Sequence, residues 1–366
     1  MSNMDKYLNM IGHNLQLSDV KFEELNKNYK ALSSYIANQH QLSGEEEYSI
    51  YQQGSFAIDT AIKPLKNDDF DVDVVVEFEI SKDEVGPVEF YNQLLDTFKE
   101  GRYGHLVEEY RNNIRINYDN NYHFDIMPAI PLDFNSESLD VPDRKKRQWV
   151  IRSPKTYRDW FITRSKMIKG YKITIRDNKF FMESATTPLR KPLPYERKPI
   201  LNRVVQLIKR ARDIYFKDTD DYYPQSIVLT TLAANFYEGE SSVYEALTNI
   251  VHKMKILKDE HPRFDVYNPA CNGHQENFTE KWKQITIYYD NYYEFADFLE
   301  ENVADLNSNA LAKKALCNLF GESSVNTIQE ETEQDAIWNT SSTNLHTENV
   351  FPNARIKIDK KERGNA

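Results

Sequence analysis

The chain has 366 residues, 40% hydrophobic and 13% aromatic, which is enough apolar side chain for one large or two smaller folded domains and excludes a disordered protein. Its formal net charge of −11 excludes indiscriminate binding along nucleic-acid backbones but leaves room for a local basic pocket. Two cysteines exclude a disulfide framework. The opening MSNMDKYLNM lacks an apolar signal core and no stretch nears the length of a membrane span, so a cytoplasmic protein with no membrane partner is predicted.

In chain order, the first predicted element is an amphipathic helix over 18–38. Its apolar face is Phe22, Leu25, Tyr29, Leu32, Tyr35 and Ile36, and Ser18 is its N-cap. Residues 48–53 alternate like a strand and run into the turn Gly54-Ser55. FDVDVVVEF, residues 70–78, is the clearest strand, followed by a helix over 88–99 and two strands over 114–118 and 123–130. From Pro131 to Pro199 the chain reads as irregular, rich in Pro and basic residues. Helical periodicity then returns over 200–215, 226–237, 242–258, 277–302 and 308–320. Strands crowd the first part and helices the second, the pattern of an α+β core followed by a helical domain. The predicted division is a core with its N-terminal helix over 1–199, a helical domain completing the nucleotide pocket over 200–321, and a flexible polar tail over 322–366.

Chemistry concentrates around the 70–78 strand. Side chains alternate faces there, so Asp71 and Asp73 share one face while Val72, Val74 and Val76 take the other. Two carboxylates one strand period apart repel each other unless a cation lies between them, and hard oxygen ligands suit Mg²⁺, with Mn²⁺ as a substitute. A third carboxylate, Asp125, stands in a strand of the same type, HFDIMPAI. Three carboxylates on adjacent strands make a site for two metal ions, suited to in-line phosphoryl displacement. Gly54 permits close backbone approach, and a helix beginning just after Ser55 would direct N–H groups and a hydroxyl at a triphosphate. Other clusters carry less. His252, His261, Cys271 and His274 match no standard zinc spacing and offer one thiolate. Arg144-Lys145-Lys146-Arg147 lies near Asp140, Asp143 and Trp149 and reads as a solvated face. Tyr222-Tyr223 reads as packing, with base stacking as the alternative.

Gln53-Gly54-Ser55, Thr60, Pro64, Asp69-Phe70-Asp71-Val72-Asp73 and Phe124-Asp125-Ile126-Met127-Pro128-Ala129 together resemble the polymerase-β-like nucleotidyltransferases. The similarity is greater to the cGAS/DncV-like nucleotidyltransferases of bacterial antiphage signalling (CBASS). It extends less sharply over 149–166, the helices after Pro199, Asn268-Pro269-Ala270 and Asn277-Phe278. It departs at Asp59, where the pattern has Gly. The resemblance implies a mixed sheet flanked by helices, a C-terminal helical domain, and synthesis of a cyclic di- or trinucleotide second messenger from ATP and other ribonucleoside triphosphates with release of pyrophosphate. It implies Asp71, Asp73 and Asp125 as catalytic metal ligands and Gln53, Gly54 and Ser55 as nucleotide-binding, with Lys209 and Ser226 reaching the triphosphate from the helical domain. Long nucleic acid is not an implied partner. Conjugation through the small C-terminal end Gly364-Asn365-Ala366, or a regulatory protein, is. Adenylylation of a protein or RNA end, or an inactive nucleotide-binding module, stays open on the residues alone.

Overall fold

The computed structural model describes residues 3–38, 48–65, 70–118, 122–133, 137–170, 186–219, 221–271 and 276–328. Strand β1 (Tyr48–Gln52) pairs antiparallel with β2 (Phe70–Phe78). β2 in turn pairs parallel with β5 (Tyr122–Pro131), so the order β1-β2-β5-β4-β3 is completed by β4 (Ile114–Tyr118) and β3 (Val107–Glu109). A parallel pair needs a covered crossover. It is supplied by α4 (Pro87–Lys99), which buries Phe90, Tyr91, Leu94, Leu95 and Phe98. Helix α2 (Asp19–Ala37) packs on that same side, and its Ser18 side chain accepts from the Lys21 N–H as an N-cap. Val72, Val74 and Val76 are all within 1% of full burial here, beside Phe124 and Ile126 of β5. The opposite face of β2 and β5 is therefore the one that carries Asp71, Asp73, His123 and Asp125.

The stretch expected to be irregular over 131–199 contains β6 (Leu139–Asp143), β7 (Gln148–Arg152) and α5 (Pro154–Ser165). Alternation failed to show them because β6 is buried at every position, its acids included. Asp140 is paired with Lys82, and Asp143 accepts from Arg111. The basic run between β6 and β7 is their turn, with Arg144 on Glu109 and Lys146 on Glu280.

A second, larger core is helical. It is built by α6 (Ile200–Tyr215), α7 (Ser226–Phe236), α8 (Val243–Glu260), α10 (Ile287–Asp305) and α11 (Ala312–Phe320). It also takes Leu8 and Ile11 from α1 (Asn3–Asn14), Leu15 just after it, and Tyr157 and Phe161 from α5, so the two cores interleave along the chain and do not meet at residue 199. Helix α1 was not anticipated. Two further expectations are corrected. The single helix over 277–302 is broken: Asn277 bridges to Tyr267, a short α9 (Glu280–Gln284) follows, and the β-branched pair Ile285-Thr286 separates it from α10. The polar tail does not begin at 322, because 322–328 are helical and bury Val325 and Ile328 in the helical core. Residues 329–366, including Gly364-Asn365-Ala366, lie outside the described residues, as does His274.

Candidate active site

β1 delivers the chain to Gln53, whose N–H donates to the Asp73 carbonyl at 2.9 Å and ties the following turn to β2. Gly54 then adopts φ +61°, and a β-carbon there would fall 2.1 Å from Asp73 Oδ2, so only glycine lets this backbone lie against the carboxylate. The helix that follows starts at Gly54, two positions earlier than expected. It is a single turn, α3 (Gly54–Ala57), so any anion binding here rests on loop N–H groups and the Ser55 hydroxyl more than on a helix dipole. Asp59 ends this segment at φ +56°, the conformation a glycine would supply. An aspartate tolerates it. Lys198 Nζ holds its carboxylate at 2.7 Å and its carbonyl at 3.2 Å, with both side chains buried. The departure from the family pattern at this position thus keeps the turn.

Register places Asp73 directly opposite Asp125, Asp71 opposite His123, and Arg115 of β4 opposite Asp125. Arg115 forks onto Asp125 through Nε–Oδ1 at 2.7 Å and Nη2–Oδ2 at 2.8 Å, and its Nη2 stands 4.0 Å from Asp71 Oδ1. His123 Nε2 pairs with Asp71 Oδ1. Burial first, then the charges of Asp125 and Asp71, push the Asp73 carboxyl up to about 7 against the opposing pull of Lys209 and His123. At Asp71 burial acts upward too, but His123, Arg115 and Lys209 outweigh it and hold the carboxyl below its usual range. Burial, and next the Arg212 charge, lower the Lys209 ammonium to about 8 although Asp213, Asp73 and Asp71 oppose them. Lys209 Nζ donates to the Thr60 carbonyl at 3.1 Å.

These groups meet at a cleft of about 340 Å³, the size of a small-ligand site. Gln53, Gly54, Ser55, Asp71, Asp73, Lys209 and Ser226 all line it. Ser226 is the first residue of α7 and not its cap; its Oγ accepts from Arg212 Nη1 at 2.5 Å. Asp125 does not line the cleft and adjoins it through Asp73 on the neighbouring strand. Sequence reasoning missed His123 and Arg115. His123 alternates in phase with Asp125 along β5, and that periodicity was a usable signal; β4 carries no aspartate, so Arg115 gave none.

The donor set fits a hard divalent cation. Among the described residues Asp71, His123 and Asp125 bring ligand atoms within 4.8 Å of one another, and the burial and neighbouring carboxylates that push the Asp73 carboxyl up are what a bound cation would offset.

A mixed sheet with three in-phase carboxylates over a nucleotide-sized cleft defines the nucleotidyltransferase class. Residues 1–164 match the model of the Second Messenger Oligonucleotide or Dinucleotide Synthetase domain. A protein of Roseivirga ehrenbergii named c-di-GMP synthase is 31% identical over 297 residues, covering 80% of this chain and 76% of its own length. The solved structure of the Bradyrhizobium diazoefficiens CD-NTase CdnG in complex with GTP is similar in fold, with a TM-score of 0.73 at 19% identity. It covers 91% of this chain and 100% of that one. CdnC of E. coli MS115-1 with ATP aligns with a TM-score of 0.62 at 14% identity, over 87% and 98% of the two chains. The chain belongs to the CD-NTases, the cGAS/DncV-like nucleotidyltransferases, and is a synthase of cyclic oligonucleotide second messengers. Among the described residues no helix is long and apolar enough to cross a membrane.

Proposed function

We propose that the cleft joins guanine nucleotides into a cyclic dinucleotide, with Asp71, Asp73 and Asp125 as the ligands of two Mg²⁺ ions. The observation that carries this is the register of Asp73 opposite Asp125 with Asp71 one strand period away, against a glycine backbone that only a small or absent side chain allows. The base is taken from the relative named for c-di-GMP. When bound, the ions neutralise charge on the reacting phosphate and make a ribose hydroxyl a better nucleophile. The chain's own groups do the rest. Gly54 N–H, Ser55 Oγ and Lys209 Nζ hold the triphosphate, Gln53 anchors their loop to Asp73, and Ser226 is steadied by Arg212.

A ribose hydroxyl of one nucleotide attacks the α-phosphorus of the other. The new O–P bond forms as the bond to pyrophosphate breaks, the leaving group takes the electron pair, and the hydroxyl proton passes to Asp125 or to solvent. Repetition within the linear product closes the ring and releases a second pyrophosphate. Arg115 keeps both Asp125 oxygens in a fixed plane for this. Family membership also supports a place in antiviral signalling, in the cytoplasm.

The test is incubation of the full chain with labelled GTP, ATP, CTP or UTP and Mg²⁺, then phosphatase and chromatography. A phosphatase-resistant small product from GTP is expected. Labelled macromolecule in its place, or undiminished product from Asp71→Asn, would overturn the reading.

A further inference from the structure

The far end of the cleft is built by a short bridge between Tyr267 and Asn277. Asn268 N–H donates to the Glu276 carbonyl and Phe278 N–H to the Val266 carbonyl, each at 2.8 Å. Glu276 and Phe278, on either side of the bridge residue Asn277, both line the cleft, while Asn277 turns out to Asp265. Glu276 is 7% exposed, and its two oxygens are held unequally. Oε2 accepts from Asn268 Nδ2 at 2.7 Å and from the Ser153 N–H at 3.1 Å. Oε1 takes no hydrogen bond among the described residues and is ion-paired with Arg152 Nε at 3.7 Å.

The position of this carboxylate is also informative. Glu77 shares the face of Asp73 and lies four residues on, about 13 Å along β2 at strand rise. Lys155, in the first turn of α5, reaches Glu77 at 2.7 Å, and Ser153, which donates to Glu276, caps the same helix. Glu276 thus lines the same cleft as Gly54, Ser55 and Asp73, on the side where Ser153 opens α5.

We propose that Glu276 reads the Watson–Crick edge of a guanine base seated beside Phe278, an assignment that rests on the nucleotidyl-transfer reading of the cleft. Guanine presents two adjacent donors, N1–H and the N2 amino group, which converge on Oε1, the Glu276 oxygen that Asn268 and Ser153 leave open. Adenine and cytosine set a ring acceptor beside their single amino donor, and uracil flanks its N3–H with two carbonyls, so each would hold an acceptor against the carboxylate. Phe278, edge-on to Tyr157 with ring centroids 5.7 Å apart, supplies an aromatic face for stacking. Asn268 and the Ser153 N–H fix the plane of the carboxylate before the base arrives.

The experiment measures binding, not turnover, on the full chain with Mg²⁺ and non-hydrolysable analogues of GTP, ITP, 2′-deoxy-GTP and ATP. ITP keeps N1–H and lacks only the N2 amino group. The wild type should bind the ITP analogue about tenfold or more weakly than the GTP analogue, the loss of a hydrogen bond to a charged group. Glu276→Gln should lose most of the difference between the GTP and ITP analogues and bind the ATP analogue more tightly than the wild type does, because the amide no longer sets an acceptor against the adenine ring nitrogen. Equal binding of GTP and ITP analogues by the wild type would overturn the assignment without any variant. So would a variant that keeps the wild-type ratio, or a loss confined to the 2′-deoxy analogue, which would place the carboxylate on the ribose. If the GTP preference and its loss are seen but no cyclic product forms, the nucleotidyl-transfer reading fails while the base reading stands.

Discussion

Gly54 and Asp73 are locked together: a single added carbon at Gly54 would sit 2.1 Å from the Asp73 carboxylate, and the backbone there holds φ +61°. Gly54→Val is therefore expected to fail twice, by displacing Asp73 and by occupying a left-handed conformation that a β-branched residue resists. Cyclic product should fall at least about 100-fold, as when a positioned group moves by an ångström. Stability should drop by roughly 1–3 kcal/mol. Normal turnover by this variant would refute the assignment of the turn to the site. Ser55→Ala, by contrast, deletes one hydrogen bond to a charged group and should weaken triphosphate binding more modestly, about tenfold.

The three carboxylates should separate chemistry from stability. Asp71→Asn, Asp73→Asn and Asp125→Asn are each expected to abolish product in Mg²⁺ with the fold retained. Because Asp73 is raised to about 7, the folded metal-free chain binds more protons than the unfolded chain between the ordinary carboxylate range and that value. Its stability must fall as pH rises through the window. Asp73→Asn removes this cost, so the metal-free variant should exceed the wild type at pH 8 by on the order of 2 kcal/mol and match it at pH 4. Thermal melts at the two pH values check the sign. Adding Mg²⁺ should raise the wild-type Tm more than the variant's.

Arg115 is a positioning group, and its loss should split the kinetic constants. Arg115→Met frees the Asp125 oxygens from their fork and also removes a positive charge that competes with a divalent cation. The half-saturating Mg²⁺ concentration should fall while kcat drops about 10-fold or more, the usual scale for losing a partner that orients a metal ligand. Arg115→Lys restores the charge without the fork and should recover the wild-type Mg²⁺ requirement but not kcat. An unchanged kcat in Arg115→Met would sink the idea.

The Asp59–Lys198 pair, with side chains 6% and 1% exposed, holds the turn that leads into Thr60, whose carbonyl accepts from Lys209. Asp59→Ala leaves Lys198 buried without its counter-charge and should cost about 3–5 kcal/mol. Asp59→Gly with Lys198→Met keeps the positive φ, removes both charges and should regain most of that loss. Urea titrations of the single and double variants measure the coupling, and additive losses would show that the pair does not support the turn.

Much was legible from the chain alone because the signals were periodic. The alternation of Phe70–Phe78 set Asp71 and Asp73 on one face and the valines on the other, and Asp125 repeated that phase in its own strand. The bounds of α6 and the cap of α2 followed from the same local rules. What periodicity could not reach were relationships between distant segments. Nothing local says that α1 joins the helical core, that Arg115 closes on Asp125, or that Glu276 is held by Ser153 across 123 positions of chain. Buried acids such as Asp140, Asp143 and Glu276 look like surface residues in one dimension. Only the partners that satisfy them, or leave one oxygen over, tell them apart, and the tertiary structure supplies those partners.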